Sequence, residues 1–170
     1  MSLLPPIGAE IPCSMHAIDA KIEVEGNALA LEFKGGIKQR VDVNPNDPVN
    51  SVRLRIVGFN VSGKADGVSV TLQQSDVDVD ARSSLRVTQR FPPEFEQRDV
   101  LEFTATFEKE EGDPVTLVAK KPMVLIAGVT RYPPRGDLYR LEAPVELTSP
   151  DDPDTIVGRI NIFNCKKAGM

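Results

Sequence analysis

The stretch VLEFTATFEK, residues 100–109, decides the fold class of this chain. Apolar residues hold one set of alternate positions and polar residues the other: Leu101, Phe103, Ala105 and Phe107 against Glu102, Thr104, Thr106 and Glu108. Successive side chains of a strand point to opposite faces, so this pattern predicts a half-buried β-strand.

The same alternation recurs along most of the chain, and helical spacing is nearly absent. Segments rich in Gly, Pro, Asn and Asp separate the alternating stretches, as turns should. We therefore predict about ten antiparallel strands, near residues 15–25, 29–33, 37–43, 51–61, 68–74, 84–91, 100–108, 115–126, 137–148 and 155–163. The predicted fold is all-β, an antiparallel two-sheet β-sandwich of immunoglobulin-like or jelly-roll type. A closed β-barrel is the alternative.

The chain of 170 residues has the length of one ordinary domain. Its first segment, SLLPPIGAEIP, is apolar and interrupted by proline, which predicts an extended N-terminal arm over residues 1–14. Residues 15–170 are predicted to form a single β-sandwich domain.

Two local features bear on the strand boundaries. In SVRLRIVGFNV, residues 51–61, the apolar parity switches beside Gly58, which predicts a bulge or a crossing between sheets. In KGGIK, residues 34–38, the paired glycines predict a hairpin turn.

Charge and hydropathy exclude several classes of partner. The net charge of -5 and the pI near 5.0 argue against nucleic acid or anionic lipid, which are bound through clustered Lys and Arg. No apolar run reaches the roughly 18 residues of a membrane span. The N-terminus lacks the basic region of a signal peptide, so a cytoplasmic location is the default expectation, with secretion open if a leader was removed.

The chain has few cysteine and histidine residues, the types that act as nucleophiles and general bases in many enzymes. Its cysteines are Cys13 and Cys165 and its one histidine is His16. Neither cysteine lies in a nucleophile motif, so we expect no enzymatic activity and no catalytic residue. The two cysteines are either separate buried thiols or a bridge between the first and last strands, and we predict that their segments are neighbours.

The acidic stretch LQQSDVDVD, residues 72–80, raises the question of a metal site. Taken alone it fails the EF-hand template, because Ala81 and Val87 stand where that loop needs Gly and Glu. If strands simply alternate in direction, loops 44–50, 75–83, 109–114 and 149–154 gather at one acidic pole. There six carboxylates could together hold calcium, the one cofactor considered: Asp76, Asp78, Asp80, Asp151, Asp152 and Asp154. The plainer interpretation is a set of solvated polar turns.

A short run of residues that occurs twice predicts a contact surface at the end opposite to the acidic pole. VTQRFPP at 87–93 and VTRYPP at 129–134 share the run Arg, aromatic, Pro, Pro. The prolines either end strands or shape two matching loops that present Arg90, Phe91, Arg131, Tyr132 and Arg135 to a protein partner.

From these observations we predict a non-enzymatic interaction or assembly module, acting through its polar loops and arm on a protein partner or a second copy of itself. A calcium-assisted ligand-binding domain is the alternative. A carrier of an apolar small molecule is the further alternative, and it requires a cavity.

Overall fold

The computed structural model describes residues 3–170, which form thirteen strands paired in antiparallel ladders, with no helix in that range. The strands are β1 (Glu10–Val24), β2 (Asn27–Val43), β3 (Ser51–Ala65), β4 (Val68–Gln74), β5 (Ser84–Arg90), β6 (Pro93–Leu101), β7 (Phe103–Lys109), β8 (Val115–Ala119), β9 (Met123–Val129), β10 (Arg135–Leu141), β11 (Val145–Ser149), β12 (Asp152–Ile162) and β13 (Cys165–Gly169). The prediction of an all-β antiparallel fold is confirmed.

All thirteen strands belong to one continuous sheet, in the order β12-β11-β8-β7-β4-β3-β2-β1-β13-β10-β9-β6-β5. Two additional pairings, β12 with β1 and β3 with β5, close this sheet twice. The first closure forms ring A from β1, β2, β3, β4, β7, β8, β11 and β12, and the second forms ring B from β1, β2, β3, β5, β6, β9, β10 and β13.

The two rings share the long strands β1, β2 and β3. β1 pairs with β13 over residues 13–17 and with β12 over residues 21–24. β3 pairs with β5 over residues 51–53 and with β4 over residues 60–65. One half of each strand therefore belongs to ring B and the other half to ring A, so the rings lie end to end and meet at a junction midway along these strands.

Bulges carry the shared strands from one ring to the other. In β3, Lys38 faces Gly58 and Gln39 faces Ile56, so Val57 has no partner in the ladder. The buried residues switch there from even positions, Leu54 and Ile56, to odd positions, Phe59 and Val61. This switch confirms the bulge predicted beside Gly58. A second bulge, in β1 between Ala17 and Ala20, makes the same change.

The hairpin turn predicted at residues 34–38 is wrong, since these residues lie inside the unbroken strand β2. A Cβ atom at Gly35 would lie 1.9 Å from the carbonyl oxygen of Asn60. Glycine is required here because β3 passes too close for any side chain.

The two-sheet sandwich is also wrong, because all the strands within residues 3–170 belong to one sheet that closes on itself. Most of β6 lies in the connection between the predicted strands 84–91 and 100–108, and β13 lies outside every predicted strand. The predicted strands 115–126 and 137–148 are each divided by a proline-containing turn, into β8 and β9 and into β10 and β11.

The N-terminal segment lies against ring B. Val41 accepts a hydrogen bond from Gly8 at 2.7 Å and donates one to Ala9 at 2.9 Å, while Leu3 and Leu4 pack on the core. Of the predicted arm, residues 10–14 belong to β1 and residues 1–2 lie outside the described part.

The cysteine segments are neighbours, as predicted, because β1 pairs with β13. Cys165 faces Ala17, four positions along β1 from Cys13. That offset corresponds to about 13 Å, well beyond the ~7 Å that a disulfide can span. Both cysteines are buried free thiols.

Candidate functional site

The outer end of ring A, away from the junction, is open and holds a cavity of about 720 Å³. We call this cavity the cup. Apolar side chains from five strands of the ring line its wall: Val24, Leu29, Val68, Phe107 and Val115. Strand alternation places them there, since each lies two residues from a buried core residue of the same strand, as Leu29 does from Leu31.

The cup stays open because the interior of ring A is filled only toward the junction. There the inward-facing residues are almost fully buried, among them Ile22, Leu31, Val70, Ala105 and Leu117. Toward the outer end Phe107 is still buried, but Leu29 and Val68 are only half-buried and Val115 is 44% exposed. The result is a concave apolar surface of a size typical of small-molecule sites, which run from roughly 300 to 1,000 Å³.

The rim of the cup is formed by three connections and is mainly acidic. Glu25 and Gly26 join β1 to β2, and Asp66 and Gly67 join β3 to β4, in two-residue turns with φ of 50°, 81°, 52° and 75°. Positive φ at both central residues is the type I′ geometry of tight hairpins. The end of β7 and the longer β7–β8 loop add three more charged residues to the lining: Lys109 from the strand, and Glu111 and Asp113 from the loop.

Ring B has a different interior, with polar side chains at its centre. Lys167 and Asp99 are both 0% exposed, and the Lys167 Nζ atom lies 2.7 Å from Asp99 Oδ2. Gln39 Nε2 and Gln97 Nε2 donate to Asp99 Oδ1 at 2.9 and 3.0 Å. The Lys167 ammonium also lies 4.5 Å from the ring centroid of Tyr139. We call these five residues the interior network.

The interior network is closed to ligands. Tyr139 donates its hydroxyl hydrogen to Gln97 Oε1, and Tyr132 donates to Gln39 Oε1 at 3.3 Å. Within residues 3–170 every buried side-chain nitrogen and oxygen has a hydrogen-bond partner. A fully satisfied buried network of this kind fixes the packing of its strands.

The thiols near the interior network are not activated. Burial raises the pKa of the Cys13 thiol above its ordinary value, and it raises the pKa of Cys165 to about 12. Burial also raises the pKa of the Tyr139 hydroxyl. His16 lies outside the rings, where its hydrogen bond to Glu32 lowers the pKa of that exposed carboxyl.

The structure separates the six predicted metal ligands. Asp78 is anchored at the junction, where its carboxylate accepts hydrogen bonds from the N–H groups of Ile56 at 2.8 Å and Ala81 at 3.0 Å. Asp76 and Asp80 line a small cavity beside it. The other three predicted ligands, Asp151, Asp152 and Asp154, are exposed where β11 turns into β12 at the outer end of ring A. Across the described chain, no three His, Cys, Asp or Glu side chains are placed to hold a metal ion.

The predicted acidic pole is therefore wrong. Loops 109–114 and 149–154 lie at the outer end of ring A, but loop 75–83 lies at the junction and loop 44–50 lies at the outer end of ring B. The assumption of simple alternation failed because the chain passes from ring A to ring B through loop 75–83.

The predicted partner residues do share one end of the molecule, the outer end of ring B. Phe91 is 93% exposed there, and the neighbouring Arg90 donates to Asn50 Oδ1 at 2.5 Å. Arg131 and Arg135 are exposed, whereas Tyr132 is half-buried with its hydroxyl on the interior network. Both aromatic-proline bonds, Phe91–Pro92 and Tyr132–Pro133, are cis.

Sequence reasoning missed both the cup and the interior network. For the network there was a signal: in FEQRDVL, residues 95–101, Gln97 and Asp99 hold the same parity as the buried Phe95 and Leu101. Lys167 likewise shares parity with buried Cys165. For the cup there was none, because an open ring end depends on which strands pair.

The fold and the cup define a class of all-β protein in which two strand rings share three strands and one ring is open at its end. No protein-family model matches the chain, and no curated protein matches it in sequence. Among solved structures, the fold is similar to that of DynF from the dynemicin biosynthesis pathway of Micromonospora chersina, with a TM-score of 0.76 and 16% sequence identity. The match covers 99% of this chain and 84% of that chain.

No helix within residues 3–170 has the length and apolar character needed to cross a lipid bilayer.

Proposed function

We propose that this protein binds a small, largely apolar molecule in the cup and acts as a carrier or binding protein rather than as an enzyme. The observation that carries the proposal is the cavity of about 720 Å³ with inward-facing apolar side chains at the open end of ring A. Of the functions predicted from the sequence, the carrier of an apolar small molecule is the one that requires a cavity.

The physical argument is the exposure of apolar surface in a concave position. Leu29 and Val68 are half-buried and Val115 is 44% exposed, although all three occupy inward-facing positions. Covering such surface contributes about 25 cal/mol per Å² of apolar area removed from water. A ligand of matching shape supplies that cover without any rearrangement of the ring.

The comparison with DynF supports the proposal only at the level of the fold. DynF comes from a biosynthesis pathway. The shared fold is compatible with binding a small molecule, and we take nothing further from DynF.

A neutral fluorescent probe tests this function. N-phenyl-1-naphthylamine should bind with saturable enhancement, one site per chain, and a Kd on the order of 0.1 mM or tighter, given about -0.3 kcal/mol per non-hydrogen atom over its roughly seventeen such atoms. Leu29→Trp should fill the cup and weaken binding at least tenfold. Its neighbour Ala30 is exposed on the opposite face of β2, so Ala30→Trp is the matched control and should leave binding unchanged. Non-saturable binding, or equal loss in both variants, would contradict the proposal.

A second candidate keeps the protein-contact role predicted from the sequence. It is favoured by Phe91, whose ring is 93% exposed at the outer end of ring B. An aromatic side chain left in water is a typical anchor of a protein interface. If this end contacts a second copy of the chain, sedimentation velocity should show concentration-dependent association that Phe91→Ser abolishes. A monomer at every concentration would exclude self-association through this end.

A further inference from the structure

We propose that the molecule bound in the cup carries a positively charged group, such as a protonated amine, beside its apolar body. This inference rests on the proposed function and adds the chemical class of the ligand. It is drawn from the distribution of charge around the opening.

Four carboxylates and one ammonium belong to the lining of the cup. The carboxylates come from three separate connections: Glu25 from the β1–β2 turn, Asp66 from the β3–β4 turn, and Glu111 and Asp113 from the β7–β8 loop. The ammonium is that of Lys109. The negative charges therefore stand on more than one side of the opening.

These carboxylates are not neutralised by the protein. In the part of the chain that the structure describes, none of the four forms an ion pair, although eleven ion pairs occur elsewhere. Some exposed acids elsewhere, such as Glu142 and Glu96, do have an arginine partner. The negative potential of the rim is thus available to a ligand.

The apolar wall strengthens that potential inside the cup. A cleft with low-dielectric walls and charges of one sign concentrates the field at its mouth and attracts counter-ions. A bound molecule whose body covers Leu29 and Phe107 would hold its polar end at the level of the rim. A cation at that level is attracted, and a carboxylate is repelled.

Three probes of one shape separate charge from apolar burial. They are 1-naphthylmethylamine, 1-naphthylmethanol and 1-naphthoate, which at pH 7 are cationic, neutral and anionic. Each competes with N-phenyl-1-naphthylamine for the full-length protein. At about 10 mM salt the amine should bind about fivefold more tightly than the alcohol, the gain that one exposed ion pair can supply. The carboxylate should bind most weakly. The preference should shrink at 1 M salt, where the Debye length is only about 3 Å.

Charge variants assign the effect to the rim. Glu25→Gln combined with Glu111→Gln and Asp113→Asn should remove the preference for the amine without weakening the alcohol. Lys109→Gln should increase the preference, because it removes the opposing charge. Glu94 is exposed at the opposite end of the molecule, so Glu94→Gln is the control for net charge and should have no effect.

Each outcome has one meaning. If amine and alcohol bind equally at low salt, or if Glu94→Gln acts as strongly as the rim variant, the inference about charge is wrong while binding in the cup stands. If the dye itself shows no saturable binding, the proposed function fails and the inference fails with it.

Discussion

Replacing Lys167 by methionine tests whether the buried ion pair holds ring B together. The variant keeps an unbranched apolar side chain but removes the ammonium that lies 2.7 Å from Asp99 Oδ2. Asp99 is then a buried carboxylate without its counter-charge. Loss of one partner of such a pair costs about 3 to 5 kcal/mol. Because two amide N–H groups still donate to Asp99 Oδ1, we expect the lower end, a loss of about 3 kcal/mol in the free energy of unfolding.

Urea denaturation followed by circular dichroism measures that loss. Lys166, the preceding residue, is exposed, so Lys166→Met is the matched control and should change stability by less than about 0.5 kcal/mol. Asp99→Asn alone should also cost about 3 kcal/mol, since it leaves the ammonium buried and unpaired. The double variant should cost clearly less than the sum, with a coupling of about 2 to 3 kcal/mol. A cost below about 1 kcal/mol for Lys167→Met, or strict additivity, would refute the assignment of a buried, coupled pair.

Four further predictions concern Asp78, calcium, Cys165 and Phe103. Asp78→Ala should cost about 2 kcal/mol because its carboxylate accepts two backbone hydrogen bonds, whereas Asp76→Ala should cost less than about 0.5; equal costs would show that Asp78 does not anchor the loop. The melting temperature should be the same in millimolar calcium and in chelator, and a rise of several degrees in calcium would establish a metal site. Burial raises the pKa of Cys165 from 9.0 to about 12, so the unfolded chain loses this proton first as pH rises. The stability that the thiol contributes is therefore complete below pH 9 and is lost between pH 9 and 12. The free energy of unfolding should fall less over this range in Cys165→Ala, as urea melts at several pH values would show. Phe103→Ala should cost about 3 to 5 kcal/mol in urea melts, and a loss under about 1 kcal/mol would mean that this side chain is not in the core.

The sequence predicted those strands whose burial follows simple alternation. In β7 the three inward residues Phe103, Ala105 and Phe107 are all apolar, and all three are buried. The parity change beside Gly58 likewise reported a real bulge. Local pattern is sufficient in such cases, because the strand itself shows which face is covered.

The sequence did not predict strands whose buried face carries polar residues, nor the pairing of strands that lie far apart in the chain. Most of β6 falls between the predicted strands 84–91 and 100–108, because Gln97 and Asp99 on its buried face interrupt the apolar alternation that identifies a strand. The closure of ring A pairs Ile22 with Ile160, and that of ring B pairs Val52 with Leu85. Such distant partners leave no local trace, so neither the rings nor the open cup could be derived from alternation.

The predicted positions of the site residues failed for the same reason, because they too depended on distant strand pairing. Placing Asp76 and Asp152 at one pole required a rule for strand direction, and the passage of the chain between rings broke that rule. The two Pro-Pro loops were predicted to share one end of the molecule, and both do lie at the outer end of ring B. Sequence similarity between two turns says that they are built alike, but only the pairing of β6 with β9 brings them together.

Shared strands also set the order in which this protein can be completed during synthesis. β1 is made before the other twelve strands described, yet two of its three partners, β12 and β13, are made after the other ten. At roughly 5 to 20 residues per second, β1 waits several seconds or more for those partners. Throughout that interval both rings remain open, and the edge of β1 that will receive β12 and β13 is unpaired. Long-range strand pairing of this kind folds slowly and leaves exposed edges open to other chains. A nascent chain of this topology therefore depends on the synthesis of β12 and β13 to cover its own most aggregation-prone edge.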